Sequence, residues 1–238
     1  MNHKEIWKQV RSMKNPERAE TSAWFFKTGK GQYGEGDYFL GLTVPQIRQL
    51  ARQYKATPLA EVTRVLNSKF HEERLLALLM MVALFNKGTE NDRKNVYREY
   101  FANLAMVNNW DLVDTSAPHI VGGYLYERSR ERLYELAGSS DLWERRISIV
   151  STQYFIRKGD LDDTFAISEL LLSDGQDLIH KASGWMLREA GIKDIDRLRI
   201  FLARHSAVMP RTMLRYSLEK FEPEERAYWM AQRARSGK

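Results

Sequence analysis

Trp110 and Asp114, four apart in NNWDLVDT, are the pair in this sequence best suited to chemistry on a sugar. A helix started by Asn108 or Asn109 puts both on one face. A carboxylate there can stabilise an oxocarbenium-like centre or activate water, while an indole face contacts the polarised C–H groups of the ring. The same residues also fit a structural use, with Asp114 capping the next helix before Pro118 and Trp110 filling a core. Trp185, in KASGWMLRE, follows Gly184 and lies near one helical face with Lys181 and Arg188, either as an exposed aromatic among cations or as core. Arg145 and Arg146 open another helix, and Arg211 and Arg215 are four apart in MPRTMLRYSLEKF. Adjacent guanidinium groups suit phosphate; pairing with Glu144, Glu189 or Glu219 is the alternative.

Other chemistries lack their residues. With no cysteine, thiolate nucleophiles, disulfides and Cys-ligated metal are excluded. The five histidines, at 3, 71, 119, 180 and 205, show no ligand spacing, so no metal and no cofactor is expected. A GxGxxG at Gly29, Gly31 and Gly34 follows a helical AETSAWFFK, whereas a dinucleotide fingerprint follows a strand and opens a helix. Thr28 to Gly41 is therefore read as an ordered surface loop whose neighbouring Lys27 and whose own Lys30 could meet phosphate.

The elements that must position these residues are helices. Asn15-Pro16, Thr43 before Pro45, and Thr57-Pro58 each set a capping side chain beside a proline suited to a first turn. Apolar residues follow at spacings of three and four, as in Ile6, Val10, Met13 and in Ile47, Leu50, Tyr54. HEERLLALLMM at His71, WERRISIVSTQ at Trp143 and IHKASGWMLRE at Ile179 superpose with offsets of 72 and then 36, and steps of 36 from Arg74 reach Trp110 and Arg146. Such a period holds a helical hairpin, as in HEAT repeats. The expected fold is all-α, a superhelix of about a dozen helices in one repeat domain over 1–238, with a loop near 28–41 and a tail near 222–238.

MNHKEIWKQV reads as a first helix and not as a secretory signal. The longest apolar run, Leu75 to Phe85, has eleven residues, short of the roughly 20 that span a bilayer, and is read as a buried core helix. A soluble, cytoplasmic monomer without membrane partners is expected. The net charge of +6 suits a polyanion if the excess gathers on one face.

NNWDLVD, WERRISIV, IHKASGWMLREAG and MPRTMLRY, in this order and with similar spacing, resemble the AlkD-type DNA alkylation repair glycosylases from roughly Asn15 to Phe221. The resemblance implies a C-shaped stack of HEAT-like hairpins whose basic concave face grips duplex DNA. It implies base excision repair, with hydrolysis of the N-glycosidic bond of cationic N3- and N7-alkylated purines and no deep base-flipping pocket. Asp114 matches the family's carboxylate beside the lesion's deoxyribose, Trp110 and Trp185 match its two tryptophans, and Arg146 matches the accompanying arginine. DNA contacts are expected from Phe25, Lys27, Lys30, Arg145, Lys181, Arg188, Arg211 and Arg215, with Phe25 standing where the best-known members carry tyrosine. Two other uses stay open, a non-enzymatic binder of damaged or structured DNA and a HEAT-like interaction scaffold. A carboxylate in a phosphate-binding groove lowers affinity and so argues against the pure binder.

Overall fold

The computed structural model describes residues 2–232, and they are helical apart from turns, loops and a single bridge between Tyr38 and Phe70. None of these helices is long and apolar enough to cross a membrane. The chain divides into two compact units, 1–120 and 121–238.

The first unit holds α1 (His3–Ser12), α2 (Pro16–Phe25), α3 (Val44–Gln53), α4 (Leu59–Leu66), α5 (His71–Lys87), α6 (Glu90–Ala102) and α7 (Trp110–Ala117). Local chemistry sets most of its starts. Asn15 accepts from the Arg18 amide at 3.0 Å with Pro16 in the first turn, and the Thr43 amide donates to Gln46 at 2.8 Å. The cap expected at Thr57 is not formed: Pro58 occupies the cap position and Thr57 is buried. The apolar run of α5 is the centre of the unit, with α3, α4, α6 and α7 packed against it. That surround explains why α5 lacks a polar face: Leu75, Leu76, Leu78, Met80 and Met81 are all buried.

The second unit comprises α8 (Gly123–Leu125), α9 (Glu131–Ala137), α10 (Leu142–Arg157), α11 (Asp162–Leu170), α12 (Asp177–Lys193), α13 (Ile195–His205), α14 (Arg211–Ser217) and α15 (Pro223–Ala231). α10 packs on α9, α11 and α12, and α12 packs on α13 and α14. The stretch expected as a tail from 222 instead holds α15, because Trp229 is buried in a cluster with Leu202, Met213 and Leu218 and its indole donates to Glu225 at 3.2 Å. Residues 233–238 of that expected tail lie outside the described residues.

The repeat is visible in the helix starts. α5, α7, α10, α12 and α14 begin at 71, 110, 142, 177 and 211, each preceded in the chain by another helix (α4, α6, α9, α11 and α13). One glycine sets how closely two of these later helices meet. A Cβ at Gly184 would lie 2.5 Å from the Met213 carbonyl oxygen and 2.6 Å from the Tyr216 Cβ, so α12 and α14 touch where it stands. Alanine in a helix normally gains about 1 kcal/mol over glycine. Here Gly184→Ala is expected to destabilise by about 2 kcal/mol, since both contacts are tighter than packing tolerates. The urea midpoint should fall with little change in slope.

Candidate nucleic-acid interface

Trp110 opens α7, capped by the buried Asn109, whose side-chain oxygen accepts from the Trp110 amide at 2.9 Å. One turn on, Asp114 lies on the same face, and both residues are half-buried. Behind Asp114 stands Tyr100, fully buried, with its hydroxyl 3.0 Å from Ser116. Burial, opposed by the Ser116 hydrogen bond, and the nearby Asp114 charge together raise the Tyr100 pKa, so this phenol stays protonated beside the carboxylate.

Trp110 belongs to an aromatic wall. Its ring stacks on Phe26 with centroids 5.5 Å apart, and Phe25 meets it edge-on at 6.2 Å. Phe26 stacks on Phe39 at 5.1 Å, and both lie against the His71 imidazole, at 4.8 and 4.7 Å. At the outer rim Phe25 is 54% and Trp24 74% exposed, with the Lys27 ammonium 4.8 Å above the Trp24 ring. Lys30 is exposed on the loop that follows.

Under this wall the sequence HEER, which opens α5, is entirely buried. His71 bridges two carboxylates, Nδ1 to Asp37 and Nε2 to Asp111, each at 2.8 Å. Glu72 accepts the backbone amides of Leu40, Gly41 and Leu42 at 2.9, 2.7 and 3.3 Å. Glu73 takes a paired contact from Arg11 at 2.8 and 3.0 Å and a very short one from Ser68. Arg74 donates to Asp37 at 2.5 Å and to the Ser68 carbonyl at 3.1 Å. Burial raises the Asp37 pKa, but hydrogen bonding from His71 and the Arg74 charge outweigh it and leave the group below the usual carboxylate range.

The glycine-rich segment is therefore a surface loop only in part. Its tip is exposed, while its later residues Asp37, Leu40 and Gly41 are gripped by the opening of α5. Gly41 has φ +84°, and a Cβ there would lie 2.1 Å from the Asn15 carbonyl oxygen, so this end of the loop requires glycine.

In the second unit Trp185 is half-buried on α12, directly after the tightly packed Gly184. Arg146, 5% exposed, donates to the Leu178 carbonyl at 2.6 Å and so ties α10 to the first turn of α12. Several expected phosphate contacts are held by protein partners. Arg145 pairs with Asp174 at 2.6 Å; Arg188 pairs with Glu189 at 2.8 Å and with Glu219. Lys181 pairs with Asp177 at 2.8 Å, and Arg211 donates to the Met230 carbonyl at 2.8 Å. Arg215 is exposed, its guanidinium 5.9 Å from the Tyr216 ring centre. The pairing of Arg188 with Glu189 and Glu219 is the alternative its sequence had left open.

Sequence reasoning missed His71, Asp37 and Asp111 as a unit, and the exposed Trp24. A signal existed for the last: successive helical residues point about 100° apart, so Trp24, Phe25 and Phe26 in a row cannot all face one core. For HEER the signal was the unbroken apolar run behind it. A helix without a polar face is enclosed on all sides, which favours burial of its first turn as well, and charges buried there need partners.

The sequence pattern of the family described as DNA alkylation repair enzyme matches residues 6–221. A solved structure described as "Predicted DNA alkylation repair enzyme from Enterococcus faecalis" superposes with a TM-score of 0.67 at 16% identity, covering 88% of this chain and 97% of that one. At that identity the likeness carries the fold alone. No curated protein matches this sequence. With the family pattern spanning nearly the whole chain, this protein belongs to the DNA alkylation repair enzyme family, which puts its work in DNA repair with DNA as its partner.

Proposed function

We propose that the protein is a DNA glycosylase that releases cationic N3- and N7-alkylated purines from duplex DNA. The observation that carries this reading is the pairing of Trp110 and Asp114 on one half-buried face of α7, with the indole seated in an aromatic wall. An alkylated purine with a positive charge leaves with the electron pair of its glycosidic bond and needs no proton from a general acid. The barrier lies in the positive charge growing on the deoxyribose. A fixed carboxylate at Asp114 opposes that charge, and the Trp110 face covers the sugar's C–H groups. Water then adds at the anomeric carbon and gives up a proton, leaving an abasic site and the free base.

Trp185 is assigned an aromatic contact with the sugar and Arg146 a charge toward phosphate, both from the second unit. Phe25, Lys27 and Lys30 supply aromatic and cationic contacts from the first unit, and Arg215 a cation from the second. Arg145, Arg146, Lys181, Arg188 and Arg211 must exchange a protein partner for phosphate to serve. We assign the active species as a monomer working in the cytoplasm.

The test is base release from duplexes carrying N7-methylguanine or N3-methyladenine, under single-turnover conditions. Release well above the spontaneous rate is expected from both. Tight binding of the same duplexes without release would replace this reading by the non-enzymatic binder.

A further inference from the structure

We propose that His71 is a positioning residue for the Trp110 and Asp114 face, acting as an imidazolium clamped between Asp37 of the glycine-rich segment and Asp111 in the first turn of α7. The proposal rests on reading that face as the one that meets DNA.

The argument begins with hydrogen counting. Both ring nitrogens of His71 lie 2.8 Å from a carboxylate oxygen, one from Asp37 and one from Asp111. An ionised carboxylate only accepts, and a neutral imidazole has a single N–H. A neutral ring could serve one of the two carboxylates and would set a lone pair against the other. With both carboxylates ionised, the geometry is satisfied by the doubly protonated ring alone.

Charge counting agrees. The titratable groups facing the ring are Asp37 from the loop, Asp111 from α7, and Arg74 from α5 through its bond to Asp37; the aromatic faces of Phe26 and Phe39 close the rest. With His71 charged, two cations balance two anions. With His71 neutral, a buried cluster carries a net negative charge, which is costly out of water. Burial alone would depress the imidazole pKa, but the Asp111 charge and the hydrogen bonds that the ring donates to Asp111 and Asp37 outweigh it, so the pKa rises to about 9.

The clamp transmits to the face that matters. Asp111 Oδ1 is buried with no hydrogen-bond partner, so His71 supplies the bond that holds this side chain. Asp111 follows Trp110 directly and precedes Asp114 by three residues on the short helix α7. His71 also packs on Phe26, on which Trp110 stacks. Loss of the ring's charge removes its ion pair with Asp111 and leaves one N–H for two carboxylates, which weakens the hold on the first turn of α7 beneath the stack.

The stabilising contribution of a group with a raised pKa is complete below its unfolded value, near 6.5, and is lost as pH climbs through the folded value of about 9. The experiment follows the His71 ring and the Trp110 indole N–H by NMR from pH 6 to 10.5, in the wild type and in Asp111→Asn, alongside single-turnover base release. In the wild type the indole resonance should move with the His71 midpoint near 9, and release should fall by about 10- to 100-fold across it, the scale of a small misplacement of reacting groups. Asp111→Asn keeps the side-chain shape but removes a carboxylate, so both midpoints should drop together by about one unit or more. His71→Gln should abolish the alkaline step in the indole signal. A Trp110 resonance that stays fixed while His71 titrates, or midpoints unmoved in Asp111→Asn, overturns the proposal. Coupled titration in a wild type that releases no base supports the clamp and sinks the glycosylase reading instead.

Discussion

Asp114→Asn is expected to lower single-turnover base release by at least about 100-fold while leaving DNA binding as tight or tighter. The substitution keeps the shape of the side chain and its place on α7, so positioning is preserved and only the negative charge goes. A preorganised group aimed at developing charge is worth about 3 kcal/mol or more in the transition state, and each 1.36 kcal/mol is tenfold in rate. Binding moves the other way because a carboxylate near the phosphate backbone repels it, and removing one such charge relieves that cost. The divergence between rate and affinity separates this outcome from damage to the fold, which would weaken both. Base release from Asp114→Asn at the wild-type rate would remove Asp114 from the chemistry.

Glu72→Ala is expected to produce the largest loss of stability among single changes in the first unit, about 4 kcal/mol or more. The Glu72 carboxylate is buried and accepts three consecutive backbone amides, those of Leu40, Gly41 and Leu42. Alanine leaves all three donors without an acceptor, and each buried unsatisfied donor costs about 1 to 3 kcal/mol. Against a total of roughly 5 to 15 kcal/mol for a folded domain, that is a large share. Glu72→Gln retains one oxygen and should lose about half as much, an estimate from the same per-bond scale. Urea denaturation of the two variants beside wild type reads the order directly. Equal stability of Glu72→Ala and wild type would mean that the loop's amides find other acceptors, and the picture of α5 gripping the loop would fail.

These two residues differ in how far their sequence reveals them. Asp114 is legible because its chemistry is local: a carboxylate four residues after an indole, behind a capping asparagine, shares that indole's helical face whatever the rest of the chain does. Glu72 looks like one more charge at a helix start, a place where acidic residues are ordinary. Its partners at 40, 41 and 42 are some thirty residues away and are backbone amides, which no side-chain pattern announces. The cap at Thr57 shows the converse, a local signal overridden when Pro58 takes the cap position and Thr57 is buried.

What this sequence determined by itself is its periodicity and punctuation. Apolar spacings of three and four, caps at Asn15, Thr43 and Asn109, and a step near 36 residues dictate helices in hairpins, since these depend on neighbours within a turn or two. Tertiary structure decided which charges are solvated. Only when α7, the loop and α1 close on the start of α5 do His71, Glu72, Glu73 and Arg74 leave water together. The same helical position can leave a charge exposed or buried; the difference lies in whether distant segments bring it the opposite charges and amides that offset its lost hydration.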